Sequence, residues 1–319
     1  MKRNHLWIVV LLALALALVP ALVGCGDDET STEDTTQATD TETTEEMATD
    51  STEAMSTDST VGETTQAPTN EEVDAEIQAV TKSDNIDTPP TVQEGVLQGG
   101  SDTAFPPFEF ANESGDYVGF DVDLMTAMAK KMGLELEVVS TAWDGIIPAL
   151  VSDRYDVIMS AMTITEERQQ QIAFSDPYIK ADIAITAPVD APIESAEGLA
   201  GKIVGVQIDT TGQFAVEEVE GVQEIKKYET VLNAFQDLYS GRIDAVVNDA
   251  PVNAYIIREL PDYENTGTIE TGDVYGYGIK QENTELQTAI NQALQEVKDD
   301  GLYDKIFMKW FGELPATQQ

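Results

Sequence analysis

The sequence predicts an α/β body, and three observations carry that prediction. From Val96 onward, strand-like and helix-like segments alternate along the chain. The clearest helical segment puts Leu124, Met125, Met128 and Met132 on one side and meets a stop at Gly133. No internal repeat is evident.

In order, the elements read as follows. A short apolar strand begins near Val96 and ends before Asp102. "GDYVGFDVDLMTAMAKKMG" is a turn and then a helix from about Asp121. "LELEVVS" reads as a strand, "WDGIIPALVSD" as a helix and "YDVIMSA" as a strand. Glu166, Glu167 and Arg168 begin a helical turn. "KIVGVQ" is a strand, "TGQFAVEEV" and "TVLNAFQDLYSG" are helices, and "IDAVVND" is a strand. "VYGYGIK" is a further strand, followed by helices at about Glu285 to Val297 and Leu302 to Trp310.

Ahead of this body the composition changes twice. Met1-Lys2-Arg3 is a basic start, and Leu6 to Val23 is apolar except for Pro20, which makes residues 1–24 a secretory signal. An uncleaved anchor helix is the alternative; Pro20 and Gly24 suit a cleavage site better than a span. The ending "LVGC" resembles a bacterial lipobox, which implies lipidation of Cys25 after cleavage. Cys25 is the only cysteine, so no disulfide within the chain is possible, and two acyl chains on it would anchor stably. Residues 25–95 are a Thr/Glu/Asp-rich linker expected to be disordered, because it holds too little apolar surface to offset chain entropy. Within it, "EEVDAEIQAV" allows a short helix, stopped by "TPP" at Thr88 to Pro90.

The totals exclude whole classes of function. The 319 residues carry 17 Lys+Arg against 59 Asp+Glu, a net charge of −42, which disfavours nucleic acid as a partner. The one histidine, His5, lies in the signal, so the mature chain has neither imidazole nor free thiol. That removes Ser-His-Asp and Cys-His catalysis and the usual zinc ligands, and no metal or cofactor is expected. Chemistry by carboxylates alone stays open. No phosphate loop of the GxxxxGK type is present.

Candidate site residues stand at strand ends, where ligands of open α/β sheets bind. Asp102 and Phe105 in "SDTAFPPFEF" offer an acceptor and an aromatic wall; the alternative is a solvated acid and a core ring. Trp143 follows another strand and serves either as packing or as a second wall. After "DVIMS", Ala161 and Thr163 lead to Arg168, which can grip a carboxylate bidentately or pair with a surface acid. Thr211 and Gly212 form a strand-to-helix turn suited to an anion, although Asp209 puts a negative charge in the same turn. Asp249, at the end of "AVVND", accepts an ammonium or caps a helix. Together these groups are the parts needed to hold a zwitterionic amino acid.

Seven motifs then identify a relationship. "DTAFPPFEF", "YVGFDVDL", "GIIPAL", "MTITEERQQQIAFSDPY", "GKIVGVQ", "NDAP" and "DDGLYDKIFMKWFG" resemble, in order, the polar-amino-acid solute-binding proteins of ABC importers, the glutamine-binding ones most closely. The resemblance covers about Val96 to Gly312 and implies a type II periplasmic-binding-protein fold: two α/β lobes joined by two crossover strands and closing on a ligand by a hinge. By the same match lobe one is 96–180 plus 278–319 and lobe two is 183–274, with crossings near Tyr178 to Asp182 and Asp273 to Tyr277. Arg168, Thr163 and the turn at Thr211 and Gly212 would hold the α-carboxylate; Asp249 and the carbonyl of Ala161 would take the α-ammonium; Asp102, Phe105, Trp143 and Gln207 would surround the side chain.

Three positions depart from the glutamine binders. Gln207 replaces a lysine, Asn248 replaces a histidine, and the turn Ile208 to Thr211 is one residue longer. Loss of the lysine shifts the charge beside Asp102 negative, which suits arginine or lysine about as well as glutamine. The resemblance further implies ABC permease subunits as partners, a monomer, and a place on the outer face of the membrane through Cys25. Two other classes of function are a carboxylate-dependent dehydratase or lyase on the same fold, and a sensing ectodomain. The latter would need a membrane-spanning segment, and none is read after Gly312.

Overall fold

The computed structural model describes residues 69–312; the signal, Cys25 and the greater part of the linker lie outside the described residues. The chain enters through helix α1 (Asn70–Ala79), whose first turn is closed by a reciprocal cap between Thr69 and Glu72. Val73 and Ile77, one helical turn apart, are buried in the main core. Lys305 pairs with Glu76 at 2.7 Å, and Lys309 pairs with Asp74. The linker therefore ends earlier than the expected residue 95: once Val73 and Ile77 have an apolar surface to cover, the segment from residue 70 gains enough burial to fold.

Strand β1 (Val96–Ser101) leads into a small antiparallel meander of β2 (Ala104–Phe105), β3 (Glu109–Ala111) and β4 (Tyr117–Val118). Helix α2 (Phe120–Met132) follows, with the four residues of its apolar stripe fully buried and Gly133 in the left-handed conformation that ends it. Ahead of α2, Gly119 (φ 146) passes so close to Phe108 that an added Cβ would sit 2.0 Å from its carbonyl oxygen, so no other residue fits. Next come β5 (Glu135–Ser140), a short 3-10 turn at Trp143–Gly145, α3 (Ile146–Val151), β6 (Val157–Ile158), α4 (Glu166–Gln169) and β7 (Ala173–Phe174).

The first crossing strand, β8 (Ile179–Lys180), delivers the chain to the second lobe. There β9 (Ile183–Pro188), β10 (Ile203–Gln207), α5 (Thr211–Glu217), β11 (Glu224–Tyr228), α6 (Val231–Tyr239), β12 (Ala245–Asp249), α7 (Ala250–Ile257) and β13 (Tyr263–Ile269) follow in order. The return crossing β14 (Val274–Tyr275) pairs antiparallel with β8. Strand β15 (Gly278–Ile279), α8 (Thr284–Asp299) and α9 (Leu302–Phe311) complete the first lobe.

The two sheets share one plan. The first is ordered β5-β1-β6-β15-β7 and the second β11-β10-β12-β9-β13; in each, four strands run one way and the strand in fourth place is antiparallel to both its neighbours. In the first lobe that fourth strand arrives after the return crossing; in the second it is the first strand entered. This is the two-lobed, twice-crossed type II fold that the resemblance implied.

The sequence reading named no strand at β9, β11 or β13, and two further elements differ from the expectations above. "VYGYGIK" is not one strand: Val274 and Tyr275 belong to the crossing, and Gly278 and Ile279 belong to the first sheet. The break falls at Gly276, where an added Cβ would meet Ile164 at 2.8 Å. Helix α7 was missed, because "APVNAYII" is apolar all round, without the one-sided stripe that marks a surface helix.

Candidate ligand-binding site

A small, tightly closed cavity lies between the lobes. Its walls come from carboxyl ends of parallel strands and the turns after them. Asp102 follows β1, Trp143 follows β5, Ser160, Ala161 and Thr163 follow β6, and Gln207 and Asp249 end β10 and β12. Phe105 on β2, Arg168 on α4, and Thr210 and Thr211 at the start of α5 complete it. Nine of the ten site residues expected from the sequence thus share one cavity. Gly212 does not line it: it lies one position behind, where an added Cβ would come 3.0 Å from the carbonyl of Val247, so its small size lets α5 pack on β12.

Arg168 is 8% exposed. Its Nη1 donates to the Thr163 carbonyl at 2.9 Å and its Nη2 to the Asp209 carbonyl at 3.3 Å. The guanidinium carbon stands 5.1 Å from the centre of the Trp143 ring. Among the described residues no carboxylate comes within ion-pairing distance of it. Burial pushes its pKa down, while the more distant Asp249 and Asp273 work the other way. A buried cation surrounded by neutral carbonyls is costly, and an anion brought to it would recover that cost.

Asp249 is its complement. The carboxyl is 7% exposed, and Oδ1 has no hydrogen-bond partner among the described residues. Burial raises its pKa to about 7, against the pull of Arg168 and of the Tyr275 hydroxyl, which lies near without a well-formed hydrogen bond. Positive and negative groups therefore face the same cavity without neutralising each other directly.

In the same cavity, Asp102 Oδ2 accepts a hydrogen bond from Gln207 Nε2 at 2.7 Å, and the same amide nitrogen donates to the Glu229 carbonyl at 3.1 Å. Burial lifts Asp102 to about 6; Gln207 lowers it and Asp144 raises it further. Beneath, the Asp102 backbone N–H donates to Ser160 Oγ at 2.9 Å, and that hydroxyl donates to the buried Glu109 at 2.7 Å. Glu109, with no cation beside it and Asp121 close by, is pushed well above the usual carboxylate range, chiefly by burial.

Three hydrogen bonds cross from one lobe to the other and hold the cavity shut. Besides Gln207 to Asp102 and Arg168 to Asp209, Trp143 Nε1 donates to the Asp209 carbonyl at 3.0 Å. Asp209 is in the left-handed region (φ 56). Asp209 is exposed and does not line the cavity, which eases the expected clash with an anion, while its carbonyl accepts from Trp143 and Arg168. Two wall residues were missed. Ser160 lay beside Ala161 at the end of the same strand, and Thr210 is the N-cap of α5, its Oγ1 accepting from Gln213 N at 3.2 Å. The alternation of strand-end and cap residues was the signal for both.

The model of the bacterial extracellular solute-binding proteins, family 3, matches residues 97–313. The chain belongs to this family. As a family 3 solute-binding protein it is 35% identical over 216 residues to the putative ABC transporter arginine-binding protein 2 of Escherichia coli (strain K12), a match covering 66% of this chain and 88% of that protein. Among solved structures it resembles an ancestral arginine-binding protein bound to glutamine, with 45% identity and a TM-score of 0.66 over 69% of this chain and 100% of that one. It also resembles an ancestral arginine-binding protein bound to arginine, with 45% identity and a TM-score of 0.67 over 69% of this chain and 99% of that one. These relatives are named for arginine, whereas the motifs resemble the glutamine-binding proteins most closely.

Proposed function

We propose that this protein is a lipid-anchored extracellular receptor of an ABC importer that encloses a polar L-amino acid, arginine before glutamine, between its two lobes. The observation that carries this reading is the pair Arg168 and Asp249: both buried, both facing one cavity, and not bonded to each other. Arg168 and the hydroxyl of Thr163 grip the α-carboxylate, while Asp249 and the carbonyl of Ala161 receive the α-ammonium. Phe105 and Trp143 cover the aliphatic stem. At the far end stands an ionisable acid, Asp102, with an amide, Gln207, where the glutamine binders have a lysine. A guanidinium satisfies that acid better than an amide does, and relatives named for arginine binding, one of them seen bound to glutamine, support a pocket for these two ligands.

Binding involves no turnover. The ligand exchanges its hydration for groups already held in place, the lobes close over it, and the closed form is presented to the permease. Cys25 anchors the receptor, with the linker between membrane and body. A thermal-shift panel of the twenty amino acids on the full-length protein tests the reading, since a ligand at 100 times its Kd adds about 2.7 kcal/mol of stability. Arginine should give the largest shift, with lysine and glutamine behind it and arginine recovered unchanged. A panel without any response would overturn it.

A further inference from the structure

Ala161 lies in the cavity wall with φ 41, in a left-handed conformation that an alanine adopts only under constraint. The constraint is visible on both sides of it. Ser160 is tied to Glu109, the Met162 carbonyl accepts from Gly276 N at 3.0 Å, and the Thr163 carbonyl accepts from Arg168. The amide of Ala161 itself donates to Asp121 Oδ2 at 3.0 Å.

Asp121 opens helix α2, is fully buried and forms no part of the cavity wall. The same Oδ2 accepts from the Tyr178 hydroxyl at 2.8 Å. Tyr178 is the residue before the first crossing strand, and its ring stacks on that of Tyr277, just past the return crossing, at 4.5 Å and 8°. One carboxylate oxygen therefore joins the strained turn of the binding site to the segments that connect the lobes. A buried acid without a cation is costly to keep. The first turn of α2 favours a carboxylate but does not require a buried one, since α2 packs through Leu124, Met125, Met128 and Met132.

We infer that Asp121 is a positioning residue for the ligand site: by holding the Ala161 amide it fixes the left-handed turn that aims the Ala161 carbonyl into the cavity, and through Tyr178 it links that turn to the crossover segments. The inference rests on the reading that the cavity takes an amino acid's ammonium beside Asp249.

Its test is a double-mutant comparison on the full-length protein, with arginine affinity measured by calorimetry. Asp121→Ala weakens binding by about tenfold or more, and Asp121→Asn, which keeps an acceptor oxygen for both donors, stays within about threefold of wild type. Glycine takes the left-handed turn without restraint. In an Ala161→Gly background, the Asp121→Ala step therefore shrinks to about threefold or less. A merely structural Asp121 would give the same loss in both backgrounds, and that result, or no loss at all, overturns the inference. If Asp121→Ala does not fold, Tyr178→Phe replaces it: the hydroxyl deletion should weaken arginine severalfold with Ala161 and not with glycine there, and equal losses would overturn the inference. A wild-type protein that binds no amino acid would instead refute the proposed function.

Discussion

Gln207 and Asp102, 105 residues apart in the chain and on opposite lobes, meet at 2.7 Å across the closed cleft. The contact is both a seal and a choice of ligand. It puts a buried carboxylate in the cavity wall, held by an amide that carries no charge. Hydrogen bonds to charged groups contribute about 1.5–3 kcal/mol, so Asp102→Asn should weaken arginine by about tenfold or more. Glutamine, which offers that position only a neutral amide, should lose far less. Calorimetric titration of both ligands against wild type and variant checks this, and an equal loss for both would place the side chain elsewhere.

The same acids make binding depend on pH. Asp102 and Asp249 rise from an ordinary value of 3.8 to about 6 and about 7 in the empty fold. The native state then holds more protons than the unfolded one between about pH 4 and pH 7. The contribution of these groups to stability is fully present below about pH 4 and is lost as pH rises through about 6 to 7. A cationic ligand favours the ionised acids, so arginine affinity should rise over the same window and binding should release protons. Titrations in buffers of different ionisation enthalpy at pH 6 measure that release; uptake of protons would contradict the assignment.

Trp143 offers a test of closure separate from ligand charge. Its Nε1 bonds the Asp209 carbonyl on the other lobe. Trp143→Phe keeps an aromatic wall and deletes that donor, at a cost of about 0.5–1.5 kcal/mol. Arginine should bind about two- to tenfold more weakly, chiefly through faster dissociation, with the empty protein's melting temperature nearly unchanged. Stopped-flow fluorescence resolves the two rates.

Helix α1 predicts a change in stability without a change in binding. Ile77→Ala empties a fully packed site beside α9 and should cost about 2–5 kcal/mol. Arginine affinity, measured below the new melting point, should remain as in wild type. A variant as stable as wild type would show that α1 is not part of the body.

Much of this molecule is legible in its sequence, and the reasons are physical. The stripe Leu124, Met125, Met128 and Met132 and the stop at Gly133 are local signals that tertiary packing had no cause to override. Site residues at strand ends were legible because an open α/β sheet gives those positions one destination. Asp209 was misjudged because sequence shows a residue's charge but not whether its side chain or its carbonyl faces the cavity. Gly212 has a packing role that sequence could not show, because a glycine required for close packing looks the same as one that cradles a ligand. The splitting of "VYGYGIK" and the docking of α1 depend on contacts across more than a hundred residues, such as Gly276 with Ile164 and Lys305 with Glu76, which no local pattern records.

The most direct test of the account is arginine binding to Arg168→Ala, measured by calorimetry beside the melting temperature of the empty variant. The guanidinium has only carbonyl partners and a ring beside it, so its removal should leave the empty fold within a few degrees of wild type. Binding should fall below detection, because nothing else in the cavity carries a positive charge for the ligand's carboxylate. Wild-type affinity in that variant would contradict the account.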